Sequence, residues 1–180
     1  MKSTYWKWDE AISPEMCDIL LNQRKQLDEE QGLVGVHGDV AHVQSIRNSK
    51  VCWCAPNHWI EAVLYNHALY ANEFANWMFQ IGRPERVQLA EYSGGGFYDW
   101  HEDWSPLDGE QSVRKLSVVA LLSKPEDFVG GEFQFAEGES VELRQGSIIV
   151  FPSFVKHRVT PVTDGVRKSA VCWVRGPMTI

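Results

Sequence analysis

The chain has 180 residues, 44% hydrophobic and 23% charged, with eight Trp and eight Phe, which suffices for one domain with a core and argues against disorder. A formal charge of −7 with no Lys/Arg cluster disfavours a surface that tracks nucleic-acid phosphates. No stretch approaches the roughly 18 apolar residues of a membrane span, and the start, MKSTYWKWDEAISP, lacks the apolar run of a signal peptide, so a cytoplasmic protein without a membrane partner is expected. Cys17, Cys52, Cys54 and Cys172 have no C-x-x-C spacing and are read as free thiols, Cys52 and Cys54 sharing one strand face.

Tyr5, Trp6, Trp8 and Ile12 predict a first strand or turn. Ser13, Pro14 and Glu15 then supply an N-cap, a first-turn proline and a first-turn acid. Met16, Ile19, Leu20, Gln23 and Leu27 have the spacing of an amphipathic helix that frays near Asp28 to Glu30. From Gly32 to Asn48 the pattern weakens into a loop carrying His37 and His42, read as surface histidines; a loop here can cover a site or merely connect. KVCWC at 50–54 predicts a strand, and Asn57 is the expected cap of a second helix. Ile60, Val63, Leu64, His67, Ala71, Phe74, Ala75 and Met78 form its apolar stripe, ended by Gly82 and Pro84, with His67 a packing residue.

After Pro84 the chain turns to short extended runs at 87–92, 97–103, 115–122, 131–135, 140–143, 147–151, 155–162 and 166–175, the pattern of a sandwich or jelly roll. His101 and Asp103 stand two apart in the second run, so in a regular strand they project from one face. His157, in a later run, supplies a third ligand. Two histidines and one carboxylate with other coordination positions open is the ligand set of non-haem Fe(II) oxygenases.

The surrounding residues are Tyr92, then Y-x-x-H-x-D from Tyr98 to Asp103, G-G-E at 130–132, F-P-S at 151–153, H-R-V-T-P-V-T-x-G-x-R from His157 to Arg167, and Trp173. Over about residues 87–175 this order resembles the Fe(II)/2-oxoglutarate dioxygenases, in particular the prolyl 4-hydroxylase-like, PKHD-type hydroxylases of bacteria and phages. The resemblance implies a mainly β (α+β) double-stranded β-helix, or jelly roll, buttressed by two N-terminal helices. It also implies one domain over 1–180, with 1–84 as helical support and 85–176 as the jelly-roll core, in the cytoplasm of a bacterial or phage-infected cell.

The implied cofactors are Fe(II), 2-oxoglutarate and O2, with ascorbate as auxiliary reductant. His101, Asp103 and His157 would hold the metal. Arg167 would pair with the distal carboxylate of 2-oxoglutarate, as suits a planar guanidinium, and Tyr92 and Tyr98 would line the co-substrate. Trp100, Trp104 and Trp173 are candidate substrate contacts. The implied reaction is hydroxylation of an unactivated C–H bond, with a prolyl residue in a peptide or protein as the expected substrate. Two alternatives remain open: the same chemistry on a free amino acid or other small molecule, and a non-enzymatic jelly-roll binding module.

Face counting gives one more expectation. His157 and Arg167 are expected on consecutive strands joined as a hairpin through Thr163, Asp164 and Gly165, so a three-residue turn or a bulge is required for both to point inward, with Gly165 left-handed and Trp173 on the same face.

Overall fold

The computed structural model describes residues 3–32, 45–104, 112–138 and 140–178. The expected loop histidines His37 and His42, and most of the loop after Trp104, lie outside them. The pattern that organises the chain is clearest in β7 (Ser112–Leu121), whose alternate residues face two different cores. Leu116, Val118 and Ala120 pack with the helices, whereas Val119 and Leu121 belong to an inner cluster with Phe133, Phe135 and Phe151. A strand buried on both faces must be apolar on both. Between Leu116 and Leu121 the one polar residue is Ser117, and it is fully buried.

Around β7 the major sheet takes in β1 (Trp6–Trp8), β2 (Glu30–Gln31), β4 (Lys50–Trp53), β5 (Gln88–Ser93), β11 (Ile148–Pro152) and β13 (Val162–Pro177), in the order β1-β11-β7-β13-β5-β4-β2, with β8 (Phe128–Gly130) pairing with the start of β13. The minor sheet contains β3 (Arg47–Asn48), β6 (Phe97–His101), β9 (Phe133–Phe135), β10 (Ser140–Val141) and β12 (His157–Val159), in the order β10-β9-β12-β6-β3. All of these pairs are antiparallel. Two facing antiparallel sheets with helices on the outer face of one are the jelly roll expected from the sequence. Strands from the first 53 residues extend both sheets, so the N-terminal part contributes more than helices.

Helix α1 (Pro14–Arg24) begins as expected, the Ser13 hydroxyl accepting from the Met16 N–H at 3.3 Å. Its buried face differs from the expected one. Cys17 and Leu20 are fully buried, while Met16 and Ile19 are exposed. Both sets satisfy helical spacing, but Cys17 and Leu20 share their side with Arg24, which ion-pairs with Glu91 of β5 at 3.0 Å and Glu29 at 2.9 Å. Those contacts select the face that meets the sheet.

Helix α2 (Trp59–Phe74) is capped by His58, not Asn57: His58 is extended and its Nδ1 accepts from the Ile60 N–H, while Asn57 takes a left-handed φ of 61° in the preceding turn. The helix stops well before Gly82. Asn76 is left-handed (φ 55°), its N–H bonds the Glu73 carbonyl, and the Trp77 N–H bonds that of Asn72, which is a Schellman closure. The Asn72 side chain then pairs with both backbone groups of Phe79. Phe74 and Met78, expected on the buried stripe, are exposed as a result. His67 does pack, edge-on to Trp8, with Nδ1 2.8 Å from the Val63 carbonyl. The four thiols are free and buried, and burial pushes those of Cys17 and Cys54 up to about 11 and that of Cys172 up to about 12.

The expected hairpin between the His157 and Arg167 strands is absent. β12 lies in the minor sheet and β13 in the centre of the major sheet, with Thr160 and Pro161 crossing between them. Gly165 is left-handed (φ 70°), but it stands opposite Phe128 in the β8–β13 ladder, where a register shift occurs between Val162 and Asp164. Arg167 and Trp173 are nevertheless inward and buried. Consecutive strands on different sheets can both face the interior without a shift of register between them.

Leu64 of α2 is fully buried in the core between helices and major sheet. Leu64→Ala should therefore destabilise the fold by about 2–5 kcal/mol, seen as a lower urea midpoint with an unchanged slope.

Candidate active site

β12 and β6 are neighbours, and their register sets His157 directly opposite His101. Tyr98 pairs with Val159, so β6 has one more residue than β12 between the two pairs. That is a β-bulge. Its effect is chemical, because Tyr98 and His101, three apart, would otherwise face opposite sides. Their rings instead stack, with centroids 3.4 Å apart and planes at 7°. The guanidinium of Arg47, on β3, lies 4.7 Å from the Tyr98 ring centroid.

Asp103 lies beyond the end of β6, which stops at His101 and does not run to 103 as expected. The Ser153 carbonyl holds it there, accepting from the N–H groups of Asp103 and Trp104, both at 2.9 Å. The Ser117 hydroxyl donates to Asp103 Oδ2 at 2.7 Å and lies 2.9 Å from the Ser153 hydroxyl. Asp103 is thus aimed by two serines of the major sheet and its adjoining turn. Spacing marks neither serine for this role: Ser153 stands in the F-P-S motif, and the signal of Ser117 is a lone hydroxyl within the apolar run Leu116 to Leu122.

The donor atoms converge. Asp103 Oδ1 is 3.5 Å from His101 Nε2, Oδ2 is 3.5 Å from His157 Nε2, and one ligand atom from each residue lies within 4.8 Å of the others. The Nδ1 of His101 is 2.7 Å from the Asp99 carbonyl, and that of His157 is 2.9 Å from the Val155 carbonyl. A carbonyl only accepts, so each Nδ1 carries the hydrogen and each Nε2 turns a lone pair towards the carboxylate. Lone pairs gathered on lone pairs repel unless a cation sits among them. The set therefore fits a divalent metal, with a hard carboxylate and two imidazoles as suits Fe(II).

Burial pushes the His157 imidazole down to about 4, with His101 adding to this and Asp103 opposing it, so it stays neutral at pH 7. Burial would raise the Asp103 carboxyl, but the attraction of either imidazole once protonated, together with the hydrogen bond from the Ser117 hydroxyl, holds it below the ordinary carboxylate range. Phe133 and Phe151 flank the His157 ring at 5.6 and 4.6 Å.

Arg167 is 1% exposed. It faces Tyr92 across the β13–β5 ladder, its guanidinium 5.7 Å from that ring, and Nη1 donates to the Ser169 hydroxyl at 3.3 Å. Among the described residues no carboxylate ion-pairs with it. Arg167 lines a cavity of about 300 Å³ together with Leu121, Phe128, Phe133 and Leu143. A buried guanidinium without an anion is costly, and an anionic ligand in that cavity would offset the cost.

The three tryptophans separate. Trp173 is buried opposite Ser117, between the Arg114 guanidinium (3.8 Å) and Trp53 (6.5 Å), and its Nε1 has no hydrogen-bond partner among the described residues. Trp104 is exposed next to Asp103. Trp100 turns away from His101 and lies under the Arg158 guanidinium at 4.4 Å.

Two tests follow. Ser117→Ala should weaken Mn(II) or Zn(II) binding about 10–100-fold by calorimetry, since Asp103 loses the hydroxyl that aims it. In the metal-free protein, the unfolded chain protonates at His157 below about pH 6.5 while the folded state resists until about 4. The unfolded state binds more protons across that interval, so stability should fall as pH is lowered through it. Urea midpoints at pH 7, 6 and 5 should show the decline, and His157→Gln should flatten it.

The family model described as the 2OG-Fe(II) oxygenase superfamily matches residues 87–175. Among curated proteins, a PKHD-type hydroxylase of Synechococcus sp. (strain JA-2-3B'a(2-13)) is 38% identical over 109 residues, covering 56% of this chain and 49% of that protein. One from Stenotrophomonas maltophilia (strain R551-3) is 40% identical over 90 residues, covering 47% of this chain and 40% of that protein. The chain thus spans about half, or less, of the length of these curated relatives. Among solved structures, the viral collagen prolyl hydroxylase of Paramecium Bursaria Chlorella virus-1, as its 2OG complex, superposes with a TM-score of 0.73 at 25% identity and 97% coverage of both chains. A Pseudomonas putida prolyl-4-hydroxylase gives 0.73 at 21% identity, over 96% of this chain and 92% of that one. Through residues 87–175, where the two histidines and the aspartate converge, this chain belongs to the 2OG-Fe(II) oxygenase superfamily.

Proposed function

We propose that the protein is an Fe(II)- and 2-oxoglutarate-dependent dioxygenase that hydroxylates an unactivated C–H bond, with a prolyl residue in a peptide or protein as its substrate. The observation that carries this is the pairing of a metal-ready triad with a buried Arg167 that no carboxylate among the described residues ion-pairs. Bound Fe(II), with O2, supplies the oxidation: 2-oxoglutarate is decarboxylated to succinate and CO2, one oxygen atom going to succinate and the other to the substrate carbon.

In this reading His101, Asp103 and His157 hold the metal, and three protein ligands leave room for a chelating co-substrate and O2. Arg167 binds the distal carboxylate of 2-oxoglutarate, and Tyr92, its cross-strand neighbour, lines the same end. Tyr98 keeps the His101 ring in place by stacking. Phe133 and Phe151 keep bulk water from the His157 side. Trp104, exposed beside Asp103, offers a flat apolar surface that suits a proline ring, whereas Trp173 is buried under the Arg114 guanidinium and Trp100 lies on the other face under Arg158. The prolyl substrate is supported by the relatives, which are named collagen prolyl hydroxylase and prolyl-4-hydroxylase.

His101→Ala, Asp103→Ala and His157→Ala should each abolish Fe(II)-dependent succinate formation while leaving the fold intact by circular dichroism. Arg167→Gln should raise the KM for 2-oxoglutarate about 10–100-fold, the worth of a lost charged hydrogen bond. Mass spectrometry of lysate proteins incubated with enzyme, Fe(II), 2-oxoglutarate and ascorbate tests the substrate. A gain of one oxygen on proline supports the reading; succinate formation stimulated only by a free amino acid replaces the peptide with a small molecule; no succinate under any condition leaves a binding module.

A further inference from the structure

We infer that Gly131 is a positioning residue for Arg167, and so sets the selectivity of the buried site for a 2-oxo acid with a second carboxylate. The inference rests on the reading of Arg167 as the co-substrate's anchor.

Gly131 follows β8 with φ +62°, and its N–H is tied to the Pro161 carbonyl at 3.1 Å. A Cβ on it would meet Arg167 Cδ at 2.8 Å, Val162 Cγ2 at 2.9 Å and Phe128 Cδ2 at 3.3 Å. At the first two separations something must move. Val162 is fully buried at the start of β13, so its methyl has little room to retreat. The long Arg167 side chain is the part that can give, yet its course is set at the far end by Ser169 and Tyr92. Arg167 therefore reaches its cavity by passing over the bare face of Gly131. Any side chain there pushes the guanidinium off line at its Cδ, and an approach in which two N–H groups meet one carboxylate tolerates little displacement.

The positive φ predicts a loss of stability on substitution in any case, so stability does not discriminate. Ligand selectivity does. The probes are 2-oxoglutarate and 2-oxopentanoate, which has a methyl group where 2-oxoglutarate has its distal carboxylate. Binding of each is measured by calorimetry on Mn(II)-loaded protein without O2. For Gly131→Ala the expected result is an affinity for 2-oxoglutarate weakened about ten-fold or more, the scale of one charged hydrogen bond, with that for 2-oxopentanoate unchanged. Added to Arg167→Gln, the same substitution should cost nothing further. If Gly131→Ala fails to fold, Gly131→Asn brings a Cβ with a residue type that tolerates left-handed backbone and should show the same selective loss. Equal weakening of both acids, or wild-type affinity for both, overturns the positioning role. A wild-type protein that does not prefer 2-oxoglutarate over 2-oxopentanoate overturns the anchor itself, a separate outcome read before any variant is made.

Discussion

A single carboxylate, Asp103, joins the two layers of this molecule. It is 7% exposed, and an ion so placed needs hydrogen bonds and a countercharge. Its backbone continues a strand of the minor sheet, while the groups that aim it, the Ser117 hydroxyl and the Ser153 carbonyl, belong to β7 and to the turn after β11 of the major sheet. Ser153 is itself tied to β7, its N–H bonding the Lys115 carbonyl at 2.9 Å. The requirement to satisfy this one ion therefore ties the two sheets together at the Asp103 end. Arg167 poses the opposite problem, a buried cation, met among the described residues by the Ser169 hydroxyl and the Tyr92 ring.

Much of this was legible in the sequence. The jelly-roll strands appear as short runs between Gly, Pro and Asp turns, and the three residues of the candidate metal site follow from an H-x-D pair with a later histidine. What was not legible depends on long-range choices. Spacing could not rank the two faces of α1, because Glu91, which pairs with Arg24, lies on β5, far along the chain. The early end of α2 turns on Asn76 taking a left-handed backbone, a preference weaker than glycine's and easily overlooked. No hairpin joins the strands of His157 and Arg167, for a topological reason. Counting faces along one ladder assumes one sheet, and a jelly roll sends consecutive strands to different sheets.

Local spacing also misleads where the backbone is irregular. Tyr98 and His101 have the parity of opposite faces, yet they stack, because β6 carries an extra residue. The Asp103 side chain joins His101 although the strand has already ended, since Ser153 captures the chain at that point. At each place the site is built by a departure from regular geometry that a neighbouring element holds in position, as is common near active centres.

Both imidazoles are oriented in the same way, Nδ1 against the carbonyl two residues back: Asp99 for His101 and Val155 for His157. Such an arrangement needs only a short stretch of chain, so each ring can adopt its working attitude while the sheets are still apart. The carboxylate cannot, because its partners arrive from the opposite layer. Two of the candidate ligands are therefore prepared by local sequence and the third is delivered by closure of the barrel. A divalent ion binding all three would act as a latch, adding its binding free energy to the final docking of the two sheets rather than to the formation of either one.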